Sequence, residues 1–97
     1  MAYKFDILHQ VKLEIIDAFD WYEKKQLNLG YDFVDEVEIT LDDIKKHPKH
    51  FQIKHQNKFR EATVNRFPYL VIYQIIENTI VILSVFPSKD NPDKKPK

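Results

Sequence analysis

The 97-residue sequence has no cysteine, which removes disulfide frameworks, thiolate catalysis and cysteine-based zinc sites from consideration. It has one glycine, Gly30, so no glycine-rich loop can cradle a phosphate. No apolar run reaches the ~18 residues of a bilayer-spanning helix. The opening residues, MAYKFDILHQVK, carry neither the basic start nor the apolar block of a secretory signal, so a cytoplasmic protein without membrane contact is expected.

What remains is enough for one small core. With 43% hydrophobic residues the chain is expected to form a single domain over residues 1–88, followed by a basic C-terminal tail over 89–97. The formal net charge of zero hides a division. Residues 1–46 hold six lysines against eleven acids, and residues 47–97 hold nine lysines and arginines against four acids. An acidic front and a basic back point to an anionic partner for the basic half, or to an acidic region that shields it.

Residues 3–8 alternate as a short strand with Tyr3, Phe5 and Ile7 on one side. Over residues 9–26 the period becomes helical. Val11, Ile15, Ala18 and Tyr22 form the apolar stripe, widened by Ile16 and Phe19, while Lys12, Glu14, Asp17, Lys24 and Lys25 mark the other face. After Gly30, the residues Phe33, Val37, Leu41 and Ile44 define a second helix, which Pro48 ends. So short a link makes the helices an antiparallel hairpin. Strands are expected at 50–54, 58–65, 68–76 and 79–86, with Glu77-Asn78 as a tight turn between the last two. The fold class is α+β: a short N-terminal strand and a helix hairpin packed on one face of a three- to four-stranded antiparallel sheet.

Both long strands are apolar on both faces, and one hairpin covers only one of them. A contiguous apolar face left open is unusual in a monomer, so a partner protein is expected on it. Pro87 lacks an amide donor and is expected to stop the last strand.

The order of elements, with Trp21-Tyr22-Glu23, Leu29-Gly30-x-x-Phe33, the basic strand around Arg60 and Arg66-Phe67-Pro68-Tyr69-x-x-x-Tyr73, resembles the RelE/ParE family of bacterial toxins over nearly the whole chain. The resemblance implies a toxin of a type II toxin-antitoxin system, paired with an antitoxin that wraps it. Members either cleave messenger RNA in the ribosome or poison DNA gyrase. It implies no cofactor and no metal.

Cleavage by 2'-hydroxyl attack needs a base, an acid and cations around the reacting phosphate. The resemblance makes Lys54, Lys58, Arg60, Arg66 and Lys89 the candidate target- or nucleic-acid-binding residues. Arg60, Arg66, Lys54, His55 and Tyr69 are the catalytic candidates, with His50 and Tyr73 beside them. Many members carry a histidine directly after the last strand; here Pro87 holds that place and has no titratable group. A binding toxin acting on gyrase is therefore preferred, with a metal-independent ribosome-dependent endoribonuclease and a decayed non-toxic antitoxin-binding module as alternatives. Tyr73, Val81, Leu83 and Val85 are the expected antitoxin contacts, in a hetero-oligomer with the antitoxin.

Other groupings carry less. His47 and His50 have metal-like spacing, but Pro48 breaks the helix that would align them. The acidic run from Asp35 to Asp43 reads as the solvated face of the second helix. Trp21 and Tyr22 read as packing residues of the hairpin rather than as a ligand-binding pair.

Overall fold

A computed structural model describes residues 3–88. Strand β1 (Lys4–Ile7) leads into helices α1 (His9–Lys25) and α2 (Leu29–Lys46). Strands β2 (Ile53–His55), β3 (Phe59–Thr63), β4 (Tyr69–Ile76) and β5 (Thr79–Pro87) follow. The described residues form one five-stranded sheet in the order β1-β5-β4-β3-β2. The last four strands pair antiparallel, as expected, and β1 joins their outer side parallel to β5, Phe5 opposite Ile80 and Ile7 opposite Ile82.

Both helices bury the stripes read from the sequence. Val11, Ala18 and Tyr22 of α1 and Phe33, Val37, Leu41 and Ile44 of α2 are buried against Ala62, Val71, Tyr73, Ile80, Ile82 and Val85 of the sheet. Ile16 is exposed instead of widening the stripe, and Trp21 stays partly exposed with the Lys25 ammonium 4.3 Å above its ring. Four rings lock the hairpin to the sheet. Tyr22 lies 5.0 Å from Phe67 and 5.4 Å from Phe33, and Phe33 lies 4.9 Å from Tyr69. Such offset and edge-on pairs add to the burial of the rings themselves.

Gly30 sets the helix separation. A Cβ at that position would stand 2.6 Å from the Phe19 carbonyl oxygen and 2.7 Å from Phe19 Cδ1 and Glu23 Cγ, closer than atoms pack. The same contact lets the Glu23 carboxylate cap α2, accepting from the backbone N–H groups of Asn28 at 3.2 Å and Gly30 at 2.8 Å. Those amides are otherwise orphan donors at a helix start. Asn28 takes a left-handed φ of 72°, which asparagine tolerates.

Three expectations change. The strand expected at 50–54 begins only at Ile53, because residues 48–51 turn out of the α2 terminus. The strict alternation assumed for 79–86 breaks, because the β4–β5 register shifts between Ile72 opposite Ser84 and Tyr73 opposite Ile82. Leu83 is the extra residue of that bulge, and it swings Val85 to the same face as Ile80 and Ile82. β5 ends at Pro87, as expected, but includes that residue, which pairs with Tyr69; beyond it the Ser88 amide donates to the Pro68 carbonyl at 2.9 Å. The expected basic tail, Lys89 included, lies outside the described residues.

Gly30→Ala removes a helix-weak residue yet is expected to destabilise the protein by about 1–3 kcal/mol, because the nearest atom is backbone and cannot rotate away. Glu23→Ala is expected to lose about 1 kcal/mol through the cap. Urea denaturation midpoints check both, and a stabilised Gly30→Ala would refute the close approach.

Candidate target-binding surface

The basic residues expected to share one floor lie on different sides of the sheet. Arg60 pairs with Tyr73 across β3 and β4, on the face that carries the helices. Its guanidinium donates to the carbonyls of Phe51 at 2.7 Å and Lys49 at 3.2 Å. Next to it, the Tyr73 hydroxyl donates to the Pro48 carbonyl at 2.6 Å. Two side chains from the sheet thus hold the α2–β2 connection by three of its carbonyls. These groups would otherwise be orphaned at a helix end next to a proline.

Arg66 sits in the β3–β4 turn with a left-handed φ of 71°. Phe67 after it turns into the core, and the guanidinium turns out onto α2, 3.4 Å from Glu36 and 3.7 Å from Asp32. Those acids are four residues apart and so lie on one helix face. Lys54 is on the opposite face of the sheet from Arg60, with its ammonium 3.9 Å from the Glu61 carboxylate. Lys58 is exposed beside the Phe59 ring at 5.2 Å. His55 lies in β2, and its side chain is outside the described atoms.

Around Lys54 is an open cleft of about 380 Å3 lined by His50, Phe51, Gln52, Lys54, Glu61 and Thr63. It brings an imidazole, an ammonium and a carboxylate to one space. Neither arginine lines it. The His47 and His50 rings lie 6.5 Å apart, and among the described residues no three histidine or acidic side chains converge as a metal site.

Tyr69 is buried against Phe33, and that burial pushes its hydroxyl pKa up. Tyr73 is pushed up to about 12 by burial, against a lowering pull from the nearby Arg60 guanidinium. Raised values keep both hydroxyls protonated near neutrality, the wrong direction for a general base.

The expected antitoxin contacts divide as well. Tyr73 and Val85 are 0% and 1% exposed beneath the helices, so neither meets a partner on the outer face. The bulge at Leu83 and the hydrogen bond to Pro48 are the reasons. Val81 and Leu83 are half-buried and lie outside the helix-side core, as does Ile72. With Leu70 and Phe86, paired across β4 and β5, they form the apolar outer surface.

The family model for the ParE toxin of type II toxin-antitoxin system, parDE, matches residues 6–92. The chain belongs to the ParE toxin family. Among solved structures this ParE-family chain is similar to the chromosomal ParDE toxin-antitoxin system from P. aeruginosa, with a TM-score of 0.82 at 11% identity. That alignment covers 91% of this chain and 98% of the other. It is also similar to the isolated E. coli RelE toxin, with a TM-score of 0.67 at 14% identity over 95% and 90% of the two chains. A third likeness is to an E. coli RelE mutant in complex with an antitoxin RelBc peptide, with a TM-score of 0.66 at 17% identity over 92% and 86%. At these identities the likeness is one of fold. No curated protein matches the sequence.

One contact of the ParE-family fold was not anticipated from the sequence. Glu14, assigned to the solvated side of α1, turns to the sheet and accepts from the Val85 amide at 2.9 Å and from the Ser84 hydroxyl at 3.2 Å. Its spacing from Val11 and Ala18, three and four residues, is the signal that places it beside the buried stripe.

Tyr73→Phe is expected to cost about 1–3 kcal/mol by leaving the Pro48 carbonyl unpaired, with proteolysis increasing first in residues 47–52. The alkaline limb carries the sign of the shift. From the ordinary 10.0 up to about 12, the unfolded chain gives up the Tyr73 proton while the folded chain keeps it, so stability falls as pH rises through that window. Denaturation midpoints from pH 9 to 12 are expected to fall less steeply in Tyr73→Phe. An unchanged slope would refute the assignment.

Proposed function

We propose that this protein is a cytoplasmic toxin that arrests growth by binding an essential target, DNA gyrase, without chemistry of its own, and that a cognate antitoxin neutralises it in a hetero-oligomer. The match to the ParE toxin model over residues 6–92 carries this reading. The site chemistry supports it. Three of the cations a nuclease would turn toward a phosphate have partners within the fold: Arg60 the loop carbonyls, Arg66 the acids of α2, Lys54 the Glu61 carboxylate. Pro87, at the exit of β5, has no proton to give or take. No helix of the described residues is long and apolar enough to cross a membrane.

The antitoxin is expected on the outer apolar face around Leu70, Ile72, Val81, Leu83 and Phe86. Burial of such a surface supplies affinity, and acidic residues opposite Lys54 and Lys58 supply steering.

A second reading, ribosome-dependent messenger RNA cleavage, is favoured by one observation, the cleft that gathers His50, Lys54 and Glu61.

Purified protein is expected to inhibit gyrase supercoiling and to trap gyrase-DNA cleavage complexes. Growth arrest without either effect would overturn the gyrase reading. Codon-dependent cleavage lost in His50→Ala/Lys54→Ala would establish the second.

A further inference from the structure

The C-terminal half of β5 is a sheet edge. Its partner on that side, β1, ends at Ile7 opposite Ile82, and the Leu8 amide makes the last bond to the Ile82 carbonyl. Among the described residues, β5 from Leu83 onward has a strand neighbour only in β4. The exposed stretch belongs to the segment Ile80–Phe86, IVILSVF, in which six of seven residues are apolar and none is charged. A charge-free, β-prone segment at an open edge is a template for strand pairing, and the sequence that matches it best is its own copy.

The amides that would make such a pairing are occupied or missing. In an antiparallel ladder successive residues point their N–H and C=O groups alternately toward and away from the partner strand. The Ser88 amide donates to Pro68 on β4, so the amides at Phe86 and Ser88 face inward and those at Val85 and Pro87 face the open edge. Val85 N–H is taken by Glu14 Oε1 at 2.9 Å. Pro87 has no N–H. At the bulge, the Leu83 carbonyl accepts from Gln10 Nε2 at 3.2 Å, and the Ser84 hydroxyl holds the Glu14 carboxylate at 3.2 and 3.3 Å. Gln10 and Glu14 are four residues apart on α1 and therefore lie along the edge one above the other. The bulge adds local twist that a flat incoming strand does not match.

We infer that Gln10, Glu14 and Pro87 close the C-terminal half of the β5 edge and keep this chain from pairing there with a second copy of itself. Glu14 stands where the next strand's carbonyl would stand, and Pro87 removes the following donor. The inference is independent of which target the toxin binds. It assigns Glu14 a role in the assembly state of the free protein rather than in its activity.

The test measures the mass of the full chain in solution by sedimentation and light scattering across a concentration series. The wild type is expected at the single-chain 11.7 kDa. Glu14→Ala/Pro87→Val, which uncovers one donor and restores the other, is expected to move toward twice that mass with rising concentration while its near-UV circular dichroism stays native. Glu14→Gln keeps an acceptor oxygen at the same place and is expected to remain a single chain. A folded Glu14→Ala/Pro87→Val that stays a single chain at every concentration overturns the inference, and so does a Glu14→Gln that dimerises. If the double variant does not fold, hydrogen exchange of the Val85 amide in the wild type decides. Protection of about 100-fold or more over the unstructured rate supports the closed edge, and exchange near the unstructured rate overturns it.

Discussion

The contact on which the rest of this structure depends is the meeting of Tyr22, Phe33, Phe67 and Tyr69, one ring from each helix, one from the β3–β4 turn and one from the first residue of β4. It joins the hairpin to the sheet at the end where α1 gives way to α2 and β3 to β4. Phe67 reaches it only because Arg66 adopts a left-handed backbone, which a non-glycine residue keeps when its surroundings over-determine it. The surroundings here are the ring below and the two carboxylates of α2 beside it. The arginine that looks like a ligand for an anionic partner is part of the device that seats the phenylalanine.

The same logic runs through the charged residues generally. The acidic front and basic back of the sequence suggest a surface offered to an anion, yet the fold turns the two halves toward one another at Arg66. Arg60 is turned inward as well: one guanidinium nitrogen, Nη1, donates to two loop carbonyls at once. Ion pairs as exposed as Arg66 with Asp32 contribute little to stability. Their consequence is positional: a guanidinium held at Glu36 is not available at a phosphate without breaking that contact.

How much was legible in the sequence follows from what each inference required. Helix stripes depend on a local period, and Phe33, Val37, Leu41 and Ile44 are all buried as read. The hairpin followed from one short link with the chain's one glycine, and the contacts at Gly30 explain why glycine stands there. Features that depend on pairing between distant residues were not legible. The bulge at Leu83 exists because β4 and β5 fall out of step between Ile72 and Tyr73, and nothing in IVILSVF marks it. Without it, Val85 faces outward and reads as an antitoxin contact. Arg60 reads as surface because arginine usually is; its partners are carbonyls, which every residue has and no sequence pattern displays. The parallel pairing of β1 also needed the third dimension, because a strand followed by two helices can return to either edge of a sheet.

Pro87 combines the local and the distant readings. A proline after seven mostly apolar residues reads as the end of a strand, since it cannot donate to a ladder. That rule holds only for amides that face a partner strand, and on β5 position 87 faces away, so Pro87 is accommodated as the strand's last residue, opposite Tyr69. The residue that has no titratable group of its own at the strand's exit is the residue that leaves the sheet's edge without a donor. A histidine in its place would add a titratable group and an exposed N–H together. At this position a reactive rim and a closed edge are therefore alternatives, and this chain has the closed edge.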